Sequence, residues 1–329
     1  MSRTSTNRSD TALELCRVSG ATMGTRYTAA YYAPPGMDEA VLAERLALAV
    51  GAVDAQMSNW KADSDLSRLN RAAPGGWVPV SRNLATLLAR ALKIGSDTHN
   101  AFNIGVGDLV DRWGFGPSGA QCVSHPDLGE AAGASPRQPA GELIEVDERL
   151  CRVRKLGPVV LDLCGIAKGF GVDELGRVLS EHGIESWLVG IDGEMRARGN
   201  KPDGGPWAIA LEAPDYERRA AMGVIELADA AIATSGDYRR WADVGGARIS
   251  HTMDPRTGAP LAGGMASVTV VAKTCADADA YATALMVLGA QAGPDYARQR
   301  GLDVLFIVRD GEALRTIGTG CFADEAPSS

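Results

Sequence analysis

The sequence predicts an α+β fold, with mixed sheets and helices packed on them, because strand and helix patterns do not alternate strictly along the chain. Residues 13–32 have the pattern of a hairpin that precedes any helix. Residues 187–233 contain several strand patterns with no helix pattern between them. Residues 266–272 form an apolar strand pattern that leads directly into a helix pattern. A doubly wound sheet would require regular alternation, so these segments favour α+β.

The first half of the chain begins with that hairpin, which Gly20 and the triplet Met23-Gly24-Thr25 are predicted to interrupt. Apolar residues at helical spacing then predict an amphipathic helix from about 38 to 57. The other elements predicted in this half are a short helix that begins near Ser64, a longer helix over 83–96, and strands over 143–146 and 159–163.

The second half is predicted to open with a helix over about 165–181. Thr274 and Asp277 have the spacing of a capping box, which places the start of another helix near Cys275 and its end near Gly289. The other elements predicted here are strands at 187–191, 207–211, 223–227, 230–233 and 266–272, a helix near 294–300, and a hairpin around Leu305 and Leu314.

One domain over residues 15–322 is predicted, between a disordered tail at 1–14 and a tail at 323–329. The length of 329 residues by itself fits one large domain or two of average size. Residues 116–141 are rich in Pro, Gly, Ala and Ser and show little periodicity. They therefore predict a loop or an insertion within the domain.

Composition limits the classes of partner. The 33 Lys and Arg residues against 41 Asp and Glu give a formal net charge of −8, which argues against nucleic-acid binding through bulk electrostatics. No apolar run approaches the ~18 residues of a membrane-spanning helix, and neither a signal segment nor a lipobox is visible. We therefore expect a cytoplasmic protein with no nucleic-acid partner and no membrane insertion. Its six cysteines form no C-x-x-C pair and are predicted to be reduced.

Asp279 and Thr283 lie four residues apart in the helix predicted to begin near Cys275. This spacing puts a carboxylate and a hydroxyl on one helical face, where both oxygens can reach the same hard cation or phosphate. Alanines on both sides of Asp279 leave room for a bulky ligand. The alternative is local, since an early Asp favours the helix dipole and a Thr can bond to its own helix backbone.

Residues 161–173 predict a strand, a turn at Gly165 and the start of a helix. Such a junction offers unpaired backbone amides to an anion, and Lys168 would add a positive charge. The segment is not a Walker A loop, because no Gly-Lys-Ser/Thr ends it. A solvated surface lysine is the alternative interpretation.

Two further polar turns each allow two interpretations. His251 lies beside the rigid turn 254–258, with the sequence DPRTG, where it could act as a general base or donate a structural hydrogen bond. Residues 233–238, with the sequence ATSGDY, end an apolar strand with hydroxyl groups. These suit a phosphate or a metal-bound oxygen, but they equally suit a hairpin turn.

Taken together, these segments resemble the ApbE family, the FAD:protein FMN transferases. The resemblance spans about residues 20–290, and its blocks occur in order, which makes it highly specific. The matching blocks are MGTRY at 23–27, MSNW at 57–60 with Ser64, FNI at 102–104, WGFG at 113–116, LDLCGIAKG at 161–169, ATSGDY at 233–238, HTMDPRTG at 251–258 and ADAYAT at 278–283.

The resemblance implies a magnesium-dependent transfer. The FMN half of FAD would pass to a Thr or Ser hydroxyl of an acceptor protein or domain, with release of AMP. FAD would be the substrate, Mg²⁺ the cofactor, and the acceptor a protein partner.

The resemblance also implies roles for individual residues. Mg²⁺ would be held by Asp279, Thr283 and the backbone carbonyl of Ala167, an all-oxygen set. Lys168 would hold phosphate, and His251 would take the proton of the acceptor hydroxyl. His251, Asp279 and Lys168 are thus the predicted catalytic residues. Besides Lys168 and His251, the predicted FAD-binding residues are Met23 and Trp60, which would pack on the isoalloxazine, and Ala101, Phe102, Asn103, Asp162, Cys164, Phe170, Thr234, Ser235, Gly236 and Met253.

The chain departs from the family pattern in a few places. Asn103 stands where the family has Asp, Gly105 where Thr is usual, and Asp192 where a small residue is usual. Two alternatives therefore stay open. In an FAD diphosphatase, water would replace the acceptor hydroxyl and yield FMN and AMP. In a non-catalytic flavin-binding protein, the chemistry would be lost, an idea that Asn103 and Asp192 favour.

Overall fold

The predicted tails and the predicted loop lie largely outside the residues that the computed structural model describes; residues 1–12, 119–135 and 324–329 are outside it. At their edges the predictions are corrected, because Glu14 already belongs to a strand and Ala140 begins a short helix. The described residues are 13–118, 136–239, 241–244, 247–261, 263–311 and 313–323.

The strands are amphipathic or fully apolar segments whose backbone groups pair with a neighbour. In chain order the described strands are β1 (Glu14–Thr22), β2 (Thr25–Ala33), β3 (Trp77–Pro79), β4 (Ile144–Asp147), β5 (Arg152–Lys155), β6 (Trp187–Ile191), β7 (Glu194–Arg198), β8 (Trp207–Glu212), β9 (Ala221–Leu227), β10 (Ala231–Gly236), β11 (Trp241–Val244), β12 (Ala247–Ser250), β13 (Met253–Asp254), β14 (Ala259–Pro260), β15 (Met265–Ala272), β16 (Asp303–Asp310) and β17 (Ala313–Thr319).

Eight of these strands form the main sheet, in the order β1-β2-β6-β7-β10-β15-β16-β17. Smaller sheets are β3-β5-β4, β8-β9, β11-β12 and β13-β14. The α+β class is confirmed. Every strand pairing among the described residues is antiparallel, so these sheets do not mix parallel and antiparallel pairs.

Side-chain caps fix where several helices begin. Asp38 accepts hydrogen bonds from the backbone N–H groups of Ala40 and Val41, and Ser64 and Ser81 cap the next two helices in the same manner. The described helices are α1 (Glu39–Met57), α2 (Asp65–Arg71), α3 (Arg82–Asp97), α4 (Gly107–Arg112), α5 (Ala140–Leu143), α6 (Ala167–Glu181) and α7 (Cys275–Arg300), with a 3-10 helix at Gly320–Phe322.

Both faces of the main sheet are covered. On β16, Phe306 points into a core shared with α7, whereas its neighbours Leu305 and Ile307 pack in a second core with Trp207 of β8. This alternation follows from the two-residue period of a strand. Helices α1 and α6 cover the β1-β2-β6 end on the same side as α7. The centre of the sheet is therefore buried between a helical layer and the β8-β9 hairpin, while the edge strands β1 and β17 keep exposed residues.

Several predicted elements are corrected. Residues 159–163 form no strand, because their backbone pairs elsewhere: Val160 O accepts from the Gly107 N–H, and the Asp162 N–H donates to Ile104 O. Gly20 does not interrupt β1 but provides space, since a β-carbon there would lie 2.6 Å from the Tyr27 ring. The prediction of two helices, one that ends near Gly289 and one that begins near Pro294, is confirmed, because the non-helical backbone of Gly289 divides α7 into two helical segments.

No helix among the described residues is long and apolar enough to cross a membrane. The cytoplasmic location stays a prediction.

Candidate functional site

A cavity of about 530 Å³ lies where the first halves of α6 and α7 meet the β6-β7 turn and the end of β10. Its other walls come from residues 101–106, α4, the β8-β9 hairpin and residues 251–253. The predicted site residues that line it are Ala101, Phe102, Asn103, Asp162, Cys164, Lys168, Thr234, Ser235, Gly236, His251, Met253, Asp279 and Thr283.

Asp279 sits where α6 and α7 cross most closely. Its Oδ2 accepts a hydrogen bond of 3.0 Å from the Gly169 backbone N–H in the first turn of α6, a group that has no partner within its own helix. A β-carbon at position 169 would lie 2.3 Å from the Cys275 carbonyl oxygen. The contact therefore requires glycine at position 169.

Asp279 has an unusual proton affinity for an aspartate. Burial, reinforced by the nearby charge of Glu194, raises the pKa of Asp279 to about 7, even though Lys168 and the Gly169 N–H favour the carboxylate. A cation bound beside the side chain would favour the ionised form. The environment of Asp279 thus suits a carboxylate that is stabilised by a bound positive charge.

Thr283 lies one helical turn beyond Asp279 and also lines the cavity. Its Oγ1 is 3.3 Å from the Ser235 hydroxyl at the end of β10. A β-carbon at Gly165 would lie 2.9 Å from the same Oγ1, so the bare backbone of the 161–165 segment approaches it directly. Hydroxyl oxygens from two elements thus meet beside a glycine turn.

The start of α7 is fixed by a carboxylate from α6. Asp173 accepts hydrogen bonds from the backbone N–H groups of Cys275 and Ala276, at 2.9 and 3.0 Å, and pairs with Arg196 of β7 at 2.8 Å. Both N–H groups are among those that a helix leaves unpaired at its N-terminus. Asp173 thereby fixes the position of the helix that bears Asp279.

Lys168 points to a pair of carboxylates on the β6-β7 turn. Its Nζ lies 2.5 Å from Glu194 Oε1 and 3.8 Å from Asp192 Oδ2. Burial disfavours the ammonium, but Glu194, Asp279 and Asp192 outweigh burial and raise the pKa of Lys168. The solvated-lysine alternative does not fit, because the Lys168 side chain is only 31% exposed and pairs with the buried Glu194 on the cavity wall.

Asparagine side chains hold the segment before α6 in place. Asn70 bonds to both the N–H and the carbonyl of Leu161, at 2.8 and 2.9 Å. Asp162 accepts from Asn59 Nδ2 at 2.8 Å and from the Cys164 N–H at 2.8 Å. These side-chain contacts satisfy the backbone groups of Leu161 and Cys164, and the backbone of residues 104–107 pairs with Val160 and Asp162.

The Asn103 side chain binds one backbone group in its own loop and one at Gln138. Its Oδ1 accepts from the Gly105 N–H at 2.7 Å, and its Nδ2 donates to Gln138 O at 3.0 Å. A β-carbon at Gly105 would lie 3.1 Å from Asn103 Oδ1. A side chain at position 105 would therefore crowd the Asn103 amide, and the glycine at 105 leaves room for it.

His251 follows β12 and lines the cavity, with its ring 6.4 Å from that of Phe115 in an edge-on contact. The turn after it is closed by the Gly258 N–H bond to Asp254 O, at 2.8 Å. Arg256 binds the Asp254 carboxylate and also donates to Val287 O of α7. The DPRTG turn thus joins the His251 segment to the helix that bears Asp279.

Four predicted residues do not line the cavity. Met23, in the β1-β2 turn, packs between two cores, and a β-carbon at Gly171 would lie 3.0 Å from its Cε. Trp60 is 62% exposed. Phe170 and Ala167 pack against the core beneath α6. Their predicted contacts with FAD or metal stay predictions.

The sequence interpretation missed other cavity residues, among them Glu194, Glu212, Arg219 and Arg239. Both arginines pair with Glu212. The dipeptide Asp192-Gly193 between two apolar patterns was a signal for a hairpin. It would have identified β7 and placed Glu194 opposite Ile191.

The predicted metal ligands are all oxygen atoms. No group of three His, Cys, Asp or Glu side chains suited to a metal occurs within the described part of the chain. The predicted set differs in kind, with one carboxylate, one hydroxyl and one backbone carbonyl. Such a set suits Mg²⁺, which takes its remaining ligands from water and phosphates. The buried Glu194 Oε2, which has no hydrogen-bond partner among the described residues, adds negative charge that a cation would offset.

The model of the ApbE family matches residues 23–306. A FAD:protein FMN transferase of Klebsiella pneumoniae is 36% identical over 304 residues, which are 91% of this chain and 86% of that protein. The FAD:protein FMN transferase of Vibrio cholerae is 36% identical over 310 residues, 94% of this chain and 92% of that protein.

Solved structures agree with the sequence relatives. The apo form of the flavinyl transferase ApbE of Pseudomonas stutzeri has a TM-score of 0.85 at 34% identity and covers 97% of this chain and 98% of its own. The flavin transferase ApbE of Vibrio cholerae has a TM-score of 0.82 at 34% identity, with 96% and 100% covered.

Proposed function

The chain belongs to the ApbE family, and from that premise we propose that it transfers the FMN moiety of FAD to a Thr or Ser hydroxyl of an acceptor protein and releases AMP. One observation supports this most: Asp279, Thr283 and Lys168, which the motif spacing singled out, line one cavity together with His251. The volume of about 530 Å³ is in the range of small-molecule sites.

In the proposed reaction the acceptor oxygen forms a bond to the phosphorus of the FMN phosphate, and the bond from that phosphorus to the oxygen of AMP breaks. His251 takes the proton of the acceptor hydroxyl. Lys168 binds the pyrophosphate as a fixed positive charge. Mg²⁺, held by Asp279, Thr283 and the Ala167 carbonyl, would supply charge neutralisation at the pyrophosphate.

The departures from the family pattern do not remove these groups. Asn103 makes hydrogen bonds to the backbone of Gly105 and of Gln138, and the Asp192 side chain is 48% exposed at the cavity edge. Asp279, Thr283, Lys168 and His251 are all present. A transferase is therefore favoured over a protein that only binds flavin.

The test combines the protein with FAD, Mg²⁺ and acceptor domains that carry a target Thr or Ser. We expect AMP and a fluorescent acceptor that is heavier by one FMN less water. AMP and free FMN without any acceptor would identify a diphosphatase instead. Tight FAD binding with no AMP under any metal or acceptor would reject catalysis.

Asp279→Ala tests the metal assignment. We expect AMP release to be abolished while some FAD binding remains, because the carboxylate is lost and the cavity walls stay. Asp295→Ala is the matched control, since Asp295 lies in the same helix with its side chain 70% exposed. Wild-type turnover in Asp279→Ala would refute the assignment.

A further inference from the structure

Glu194 is a buried carboxylate on the cavity wall that the proposed chemistry does not use. It is the first residue of β7, and its side chain is 4% exposed. Oε1 accepts from Lys168, at 2.5 Å, and Oε2 has no hydrogen-bond partner among the described residues. A buried carboxylate with an unsatisfied oxygen costs folding free energy. Its presence therefore requires a reason other than stability.

The backbone fixes Glu194 more firmly than it fixes Asp192. The pairing of Ile191 with Glu194 closes the two-residue β6-β7 turn, so Glu194 is set by the main sheet. Asp192 lies in the turn itself, with a backbone φ of 57° and 48% of its side chain exposed. Of the two carboxylates near Lys168, Glu194 is thus the rigid one and Asp192 the one that solvent screens.

We propose that Glu194 is a positioning residue that holds the Lys168 side chain against the cavity wall, aimed at the pyrophosphate. An ammonium has three N–H donors, so one can stay with Glu194 while the others bind phosphate oxygens. The inference rests on the proposed function, because it assigns Lys168 to phosphate.

This role predicts opposite effects on binding and turnover. Removing the negative charge of Glu194 makes the cavity less repulsive to a pyrophosphate, so FAD should bind as tightly as before or more tightly. Without its anchor, Lys168 samples other rotamers, so the rate of the transfer step should fall. A residue that only supports the fold would weaken both together.

The experiment compares Glu194→Gln with Glu181→Gln in the whole chain, with Mg²⁺ and acceptor present. We measure the dissociation constant of FAD by quenching of flavin fluorescence, kcat by AMP release, and Tm. For Glu194→Gln we expect kcat to fall about 10- to 100-fold, as for other residues that orient a functional group, with an unchanged or lower dissociation constant. For Glu181→Gln, at the end of α6 with a side chain that is 58% exposed and outside the cavity lining, we expect a near wild-type kcat.

Glu194→Asp keeps the charge on a side chain one methylene shorter, and we expect its kcat to lie between those of the wild type and Glu194→Gln. It replaces Glu194→Gln in the comparison if that variant does not fold. An unchanged kcat, or a folded variant in which FAD binding weakens as turnover falls, would overturn the positioning role. No AMP from the wild type would overturn the proposed function and this inference together.

Discussion

At the scale of single residues, the site depends on the absence of a side chain at Gly169. The Asp279 carboxylate reaches the Gly169 N–H only because the two helix backbones approach without a β-carbon between them. Gly165 has the same function beside Thr283, where the obstructing atom is a hydroxyl rather than backbone. A side chain can rotate away and a backbone carbonyl cannot. The requirement for glycine is therefore stricter at position 169 than at position 165.

Gly169→Ala tests this point. A β-carbon 2.3 Å from the Cys275 carbonyl forces α6 and α7 apart. Overpacking of this kind costs about 1–3 kcal/mol, and Asp279 loses its backbone donor. We expect denaturant unfolding to show this decrease in the free energy of unfolding. We also expect AMP release to fall strongly. Gly76→Ala, at a position with no atom within 4 Å of the added carbon, is the control. Normal activity in Gly169→Ala would show that the close approach is dispensable.

At the scale of elements, α7 combines a functional half and a packing half. Its first half is fixed by Asp173 at the cap and by Arg90 of α3, which binds Asp277 and Thr274. Gly289 then breaks the helix, because its φ of 77° and ψ of −176° form a backbone conformation that essentially only glycine adopts. The second half realigns so that Ala297 joins the core against β16. The break therefore serves packing, while the cavity depends on the first half.

Gly289→Ala should separate these two functions. Forcing a β-carbon into that backbone conformation costs about 1–3 kcal/mol, so we expect a lower Tm. The kcat of the remaining folded protein should be unchanged, because Gly289 is not among the cavity residues. Gly51→Ala in α1 provides the contrast, since its glycine has no positive φ and open space around it. That variant should gain about 0.5–1 kcal/mol. Loss of turnover in Gly289→Ala at full folding would connect the break to the site.

At the scale of the whole molecule, the cavity draws its walls from distant parts of the chain. Residues 101–106 lie in the first third, α6 in the middle, and α7 near the end. The antiparallel main sheet brings these parts together, since β6, β7, β10 and β15 lie side by side at its centre. A ligand that contacts all of these walls should hold them together and so stabilise the whole fold.

Thermal unfolding with FAD, with Mg²⁺ and with both should show this coupling. A ligand at a hundred times its dissociation constant stabilises a protein by about 2.7 kcal/mol, which is a shift of several degrees in Tm. We expect the shift with both to exceed the sum of the separate shifts, and EDTA to remove the excess. Asp279→Ala should lose only the Mg²⁺-dependent part. Simply additive shifts in the wild type would mean that metal and FAD bind independently.

The sequence predicted most of the elements because their signals are local. The cap residue Asp38, the periodic apolar positions of α1 and the spacing of Asp279 and Thr283 lie within a few helical turns. It failed at 159–163, where an apolar run is buried without a strand partner, since buried runs of this length do not distinguish a strand from other buried segments. The motif resemblance chose between the alternatives that the local sequence left open for Lys168 and His251, which no periodicity would have selected.

What the sequence by itself determined is thus the fold class, the family and the chemical groups on Asp279, Thr283, Lys168 and His251. Only the tertiary structure decided that Gly169 donates to Asp279 and that Glu194 is the buried partner of Lys168, 26 residues away. It also decided that Asn70 and Asn59 hold the 161–165 segment from more than 90 residues before it. The physical reason is that a buried charge or an unpaired backbone group is satisfied by whichever partner the packing brings near, and sequence separation carries no information about that distance.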